Sequence, residues 1–424
     1  MVRHDRASFV SKFIASLVAT TLGCVGDTPV APQPDAATLD SSTDVGTVDA
    51  ACGVPNTPCC GTTCNGGSTC VSGSCACTAP QVACGATCVD TKTDAKNCGT
   101  CGHDCLGGAC SAGKCLPITL ATGQNTANSV AVDVDRVYWT RGGTNAVAGG
   151  VFSVKFDGTA LTTILDLGPN VGAYGAAVGG GNVYFARNNG SLRAISRCAL
   201  PTCTGGQVFL AQNEQLAQSV SLDLPNSRLY WVDGTPYQGT GGSVMTLLLP
   251  SGPAQRVVTA DQPNPSSLRL ANGFVYWLDS GTYFNNLHQG NGGVRRAPLG
   301  LNGVATPIAA DNGADLAGLA IDSQSVYFGT GGNATLAVAP VGGGGSTSTF
   351  SATTTSAIAA EGTNVYWGES TFTGRILTCP RTGCPNGNPI VLVLNQDTVA
   401  ALTVDAVSVI WVNSNGGDVR RLAK

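Results

Sequence analysis

Charge is scarce in this chain. Asp, Glu, Lys and Arg supply only 11% of its 424 residues, against about a quarter in an average soluble protein, and the formal net charge is −4. No basic surface is available to neutralise a phosphate backbone, which excludes nucleic acid as a partner. Histidine is scarcer still, with three residues in all. His4 falls in a leader segment, so a multi-histidine metal centre or a Ser-His-Asp arrangement would have to draw on His103 and His288. His103 lies among cysteines and His288 in the long loop "SGTYFNNLHQGNGG", where a solvated loop residue is the expected role for each. No run reaches the roughly twenty apolar residues of a membrane-spanning helix. No segment shows a helical hydrophobic period either.

What the chain does have is 57 Gly, 19 Cys and an insistent aromatic pair. Abundant Gly, Ser, Thr and Asn describe a β-protein with many tight turns, and the cysteine count describes an oxidising compartment. The pair recurs as Tyr138-Trp139, Tyr184-Phe185, Tyr230-Trp231, Tyr276-Trp277, Tyr327-Phe328, Tyr366-Trp367 and a decayed Ile410-Trp411, at steps of 46, 46, 46, 51, 39 and 44 residues. Around each pair stand four short runs of strand character: an alternating run such as "SVSLD", the aromatic run, a third such as "GGVFSVKFDG" and a fourth such as "QRVVTAD". Four strands repeating at about 45 residues predict propeller blades, so residues 116–424 are expected to form an all-β, seven-bladed β-propeller. In a blade, a large aromatic at one fixed strand position fills the wedge between neighbouring sheets, so the pair is structural. The last repeat, "ALTVDAVSVIWVNSNGGDVRRLAK", stops after its third strand. The segment "LPITLATGQN", Leu116 onward, has the shape of the missing fourth and is expected to close the ring.

The repeats "LDLPNSRLYWVD" (Leu222 to Asp233) and "GGVFSVKFDGTALTTIL" (Gly149 to Leu165) resemble the YWTD propeller repeats of low-density-lipoprotein-receptor-type ectodomains. The resemblance covers about 300 residues, although the Thr-Asp half of the motif is mostly lost and that family has six blades where seven copies stand here. It implies extracellular protein binding, the habit of that family.

Ahead of the repeats the composition changes three times. Residues 1–23 carry Arg3, Arg6 and Lys12 before the apolar run "FIASLVATTLG", eleven residues long, which fits a signal-peptide core. The run ends at Gly23-Cys24, which resembles the bacterial lipobox, with Thr21 and Leu22 as departures from its pattern. The resemblance implies a lipidated Cys24 at the mature N-terminus. Residues 24–51 continue without aromatic residues or hydrophobic period, rich in Pro, Asp, Ser and Thr, as a disordered tether. Residues 52–115 hold 14 Cys and few large apolar side chains, so cross-links must replace a core. They divide into six Cys (Cys52 to Cys75) and eight (Cys77 to Cys115), each number even, with connectivity open. Cys98, Cys101, His103 and Cys105 also stand at zinc-like spacings, but an exported thiol cluster is expected to be oxidised. The stretch "CGATCVDTKTDAKNCGTCGHDC" resembles Cys-rich modules of bacterial surface lipoproteins, and "CCGTTCNGGSTCVSGSC" resembles small extracellular knotted modules. Within the propeller, Cys198 and Cys203, and Cys379 and Cys384, sit at equal spacing between third and fourth strands and are expected to form two hairpin disulfides.

No catalytic constellation emerges. The expectation is an exported, lipid-anchored surface protein that binds an extracellular protein or glycan through one propeller face, as a monomer touching the membrane only through its lipid. A propeller-fold hydrolase or lyase, and a passive envelope component, are the alternatives. Long second-to-third-strand loops nominate Arg141, Tyr237, Tyr283, Phe284, Asn285 and His288 as binding residues. No cofactor is expected. A channel-bound calcium is the one metal candidate, because Asp133, Asp223, Asp322 and Asp405 recur at one blade position, although a turn-capping role explains that recurrence better.

Overall fold

A computed structural model of the protein describes residues 52–234, 241–284, 287–288, 291–311, 316–330, 335–344, 347–351, 353–369 and 371–424. Cys24 and the tether lie outside this set. Residues 127–423, with 118–121, form seven four-stranded antiparallel sheets. The strands of each blade are named A to D from the innermost outward. The A strands are Ala127–Val132, Gly172–Gly179, Ala217–Asp223, Pro265–Ala271, Ala317–Ile321, Ala357–Glu361 and Val399–Val404 in blades 1 to 7. Each A strand neighbours the next around the ring, and blade 7 returns to blade 1. Among the described residues the helical content is one 3-10 turn, Pro385–Gly387.

The B strands carry the aromatic pair, and their packing explains why it repeats. Successive residues on a strand face opposite sides of the sheet. Tyr138 therefore packs with Ala173, Val183 and Phe185 of blade 2, while its neighbour Trp139 packs with Ile410, Val412 and Val419 of blade 7. The same handover recurs at Tyr184 with Trp231, Tyr230 with Trp277, Tyr276 with Phe328, Tyr327 with Trp367 and Tyr366 with Trp411. The apolar interior is thus seven separate wedges, one between each pair of blades. All five Trp side chains are fully buried in them. Burial at about 25 cal/mol per Å² makes each wedge worth several kcal/mol.

Ring closure runs through the segment nominated from sequence. Ile118–Ala121 is strand D of blade 7, antiparallel to Asp418–Ala423, with Ala121 opposite Val419, Thr119 opposite Arg420 and Ile118 opposite Arg421. Leu120 and Ala121 turn into the wedge shared with blade 1.

The A–B turns, at the lower end of the ring, carry the recurring aspartates. Asp133 accepts from the backbone N–H of Asp135 and Arg136 and from the Tyr138 hydroxyl. Asp322 does the same with Gln324, Ser325 and Tyr327, and Asp405 accepts from Val407 and Ser408. Asp223 accepts from Asn226. Their repetition is turn chemistry, one carboxylate per turn in four different blades.

Residues 52–115 form a disulfide-rich region with three two-stranded ribbons. The first module pairs Cys52–Cys60, Cys59–Cys70 and Cys64–Cys75. The second pairs Cys77–Cys88, Cys84–Cys101, Cys98–Cys110 and Cys105–Cys115. Each even set closes on itself. The thiols at zinc-like spacing are spent in three different disulfides, and the convergent sulfur clusters among the described residues are cystine sulfurs. His103 is half-buried rather than exposed, its Nδ1 2.6 Å from the Cys98 carbonyl oxygen. The region does not stand apart as a separate compact unit. Cys98, Cys105 and Cys115, with Ala95 and Leu106, belong to the same apolar cluster as Val393, Leu402, Leu422 and Ala423 of blades 6 and 7. Cys198–Cys203 and Cys379–Cys384 are bonded in blades 2 and 6.

Closure can be tested with one buried side chain. Leu120→Ala should destabilise the protein by about 2–4 kcal/mol, while Thr119→Ala, exposed on the same strand, should stay within about 0.5 kcal/mol of the parent. Denaturant melts with the disulfides intact decide it; equal midpoints would mean that this strand does not hold the ring.

Candidate functional site

Chain direction fixes which groups share a face. Strand A runs downward and B returns upward, so the B–C loops and the D–A connections both lie on the upper face. Of the nominated binding residues, Tyr237 and Asn285 fall outside the described set. Tyr283, Phe284 and His288 belong to an extra two-stranded ribbon in the B–C loop of blade 4, with Tyr283 opposite His288 and Phe284 opposite Leu287. Arg141 is in blade 1 and does not join them. Its Nε donates to the Ala148 carbonyl at 2.8 Å, its Nη1 to the Gly123 carbonyl at 3.2 Å, and its guanidinium stacks on Phe152 at 4.5 Å. The adjoining loop packs against the chain leading into blade 2, where the Asn170 N–H donates to the Thr144 carbonyl at 3.1 Å. Gly149 makes this approach feasible, because a Cβ there would stand 2.0 Å from the Val171 carbonyl oxygen.

Sequence reasoning missed Phe372, which stands in the B–C loop of blade 6 with 79% of its surface exposed. It also missed what holds the upper face together. Four indole N–H groups donate to a side chain of the connection entering their own blade: Trp139 to Gln124 at 3.1 Å, Trp231 to Glu214 at 2.8 Å, Trp367 to Thr353 at 3.0 Å and Trp411 to Gln396 at 2.9 Å. Blades 2 and 5 use Phe185 and Phe328, which have no N–H to satisfy. In blade 4 Trp277 meets no such acceptor among the described residues, and Gln262 donates to the Ala260 carbonyl within its own connection. There Asp279 is fully buried in an ion pair with Arg295. Burial pushes Asp279 up to about 7 against the pull of that guanidinium. In blade 6 Arg375 grips Glu369 with both ends of its fork, at 2.8 and 2.7 Å.

The A strands enclose a central channel. Its upper half holds about 310 Å³ and its lower half about 490 Å³. At the level where each A strand pairs with the first residue of the aromatic pair, the blades present Ala131, Ala177, Ser221, Arg269, Ala320, Ala359 and Thr403. Six small residues leave this waist open, and one arginine enters it. Arg269 borders both halves, and none of the residues lining either half is acidic. Its Nη1 donates to the Leu268 carbonyl at 2.9 Å. Its surface opens to the lumen, yet the surrounding inner strands withdraw enough water to lower its pKa from the usual guanidinium value. Above it stand Gln218, Ser266 and Ser267. Ser219 and Ser267 sit in bulges of the A strands at φ 50° and 40°, where blades 2 and 5 use Gly175 and Gly318. A left-handed serine costs on the order of 1–2 kcal/mol.

No family model and no curated protein matches the chain. Solved structures similar to it include virginiamycin B lyase from Staphylococcus aureus, at 12% identity and a TM-score of 0.55, with 73% of this chain and 98% of the lyase covered. A puromycin-hydrolyzing peptidase from Mycobacterium tuberculosis follows at 13% identity and a TM-score of 0.50, with 72% of this chain and 54% of the peptidase covered. A chain of a nidogen/laminin complex has 15% identity and a TM-score of 0.43, with 62% and 90% covered. At such identities the likeness establishes the propeller fold and no chemistry.

Glu214 gives the upper face a pH signature. Burial raises its pKa from 4.5 to about 7 against the indole N–H of Trp231, with the Asp233 charge adding to the rise. A carboxyl raised on folding holds more protons in the folded chain between those values, so its contribution is complete below about 4.5 and is lost as pH climbs through about 7. Glu214→Gln keeps an acceptor for the indole and removes the titration. It should match the parent at pH 4.5 and exceed it at pH 8 by on the order of 1–3 kcal/mol, read from denaturant midpoints at both pH values.

Proposed function

We propose that the protein is an exported, lipid-anchored binding protein whose upper propeller face engages an extracellular protein or glycan. The observation that carries this reading is the construction of that face: a ribbon that pairs Tyr283 with His288 and Phe284 with Leu287 in the B–C loop of blade 4, and a strongly exposed Phe372 on blade 6. A large aromatic exposed on a rigid blade, as Phe372 is, suits stacking on a sugar or insertion into a partner's pocket. Several of the described polar groups are used to hold the fold. Asp133, Asp322 and Asp405 cap turns, Glu369 holds Arg375, and His103 is tied to the Cys98 carbonyl, so each of these groups has a structural partner.

The disulfides support an extracytoplasmic setting. The described region contains nine disulfides, a number that belongs to an oxidising compartment, and no described helix is long and apolar enough to cross a membrane. Those disulfides use 18 of the 19 cysteines, and Cys24 is the remaining one. This favours the lipid-anchor reading over a structural role for that thiol. The Cys-rich region itself docks on blades 6 and 7 and leads into the closing strand.

Two experiments test the two halves of the proposal. Alanine at Phe372, Tyr283 and Phe284 together should reduce retention on extracellular polysaccharides or purified surface proteins at least tenfold, while Val134→Ala, on the exposed lower turn of blade 1, should leave it unchanged. Equal loss in both variants, or in neither, removes the upper face as the binding surface. For the anchor, mass spectrometry of the mature protein should find an acylated Cys24 at its N-terminus, and Cys24→Ser should release the protein from membranes. A mature chain that starts elsewhere without lipid contradicts it.

A further inference from the structure

We propose that the central channel is a binding site for a small organic carboxylate, held at the waist by Arg269 and completed above by the side chains of Gln218, Ser266 and Ser267. The first argument is positional. Seven blades bring seven equivalent residues to the waist, and six of them are Ala, Ser or Thr. The small residues keep the lumen open at the level where the guanidinium enters. A fold that needed only to plug its channel could do so with apolar bulk at several of these positions, without enclosing a cation.

The second argument is electrostatic. Arg269 spends one N–H on the Leu268 carbonyl, and no described carboxylate lines either half of the channel. By contrast Arg375 is held by Glu369, Arg295 by Asp279, and Arg141 by two carbonyls and an aromatic face. A guanidinium with free donors in an enclosed space attracts an anion, because its water is restricted while its charge is screened less than at the surface. Gln218, Ser266 and Ser267 add amide and hydroxyl groups that bond no described residue and border the upper half.

Chemistry and size then narrow the ligand. A single cation balances a monoanion, and the planar guanidinium fork matches a carboxylate through two parallel hydrogen bonds. Cavities of about 310 and 490 Å³ fall in the range of small-molecule sites and are far too small for a folded partner. The neutral polar groups above the waist suit hydroxyls on the same molecule, so a sugar acid fits better than a fatty acid. This site is independent of the upper-face aromatics: the Phe372 and Tyr283 variants should leave it intact.

The test uses the full, disulfide-bonded protein with glucuronate, glucose and inorganic phosphate, in calorimetric titrations at constant ionic strength. Glucuronate should bind saturably and glucose, which has the same ring without the charge, should not. Arg269→Gln should weaken glucuronate at least tenfold, and Arg269→Lys, which keeps the charge without the fork, should fall between. Circular dichroism and the melting temperature establish that the variants fold. Should Arg269→Gln not fold, Ala131→Met, which narrows the waist from the far side of the ring and keeps the cation, should abolish binding instead. No saturable glucuronate binding, undiminished binding in a folded Arg269→Gln or, where that variant does not fold, in Ala131→Met, or a preference for phosphate over glucuronate would each overturn the proposal.

Discussion

Each wedge between blades is filled from both sides, by a tyrosine reaching forward from one B strand and a tryptophan or phenylalanine reaching back from the next. A blade alone would leave both faces of its sheet exposed, so no blade is stable by itself. The packing therefore makes sense only as a closed circle. At the one place where the circle could break, Ile410 stands in for the tyrosine against Trp139, and Leu120 and Ala121 supply the strand that the C-terminus lacks. Strand pairing at this seam couples the two ends of the ring, so its opening exposes a sheet edge and a wedge together.

Much of the functional geometry follows from that closure. The closing strand must lie near residue 120, which attaches the Cys-rich region at the lower, outer side of blade 7 and lets its cystines pack against blades 6 and 7. The D–A connections must cross the upper face to reach the inner strands, and Gln124, Glu214, Thr353 and Gln396 fasten them there to indole N–H groups. An upper face stiffened in this way is a suitable mount for loops that project beyond it, since side chains on a rigid support lose less freedom on binding. The same seven-fold arrangement leaves a channel whose width is set by one residue per blade, and a single departure from small side chains, Arg269, changes its chemistry.

What could be read from sequence was whatever repeats or acts locally. The Tyr-Trp pairs gave the blade count, the truncated seventh repeat gave the closing strand, and the equal spacing of Cys198 and Cys203 with Cys379 and Cys384 pointed to hairpin bonds that the fold contains. The recurring aspartates were legible as turn caps for the same reason. Pairing within residues 52–115 was not, because six and eight cysteines admit many connectivities and no core dictates one. Arg269 lay in plain view in "SSLRLAN", but its meaning depends on strand register, which sets it opposite Tyr276 and level with Ala131, Ala177 and Ala320. The indole acceptors stand 14 to 17 residues before their tryptophans, in connections of varied sequence, and only the contrast with Phe185 and Phe328 marks them. Phe372 belongs to no repeat at all.

Native-state hydrogen exchange reports directly on whether the ring acts as one cooperative unit. The amides of Val419 to Arg421, which pair with the closing strand, should open with the same free energy as those of Tyr230 to Val232 in blade 3, because neither can be exposed without breaking the circle. Fast exchange confined to blade 7, with blade 3 still protected to the global limit, would contradict the account and show that the seam is a local flap rather than the element that makes the ring whole.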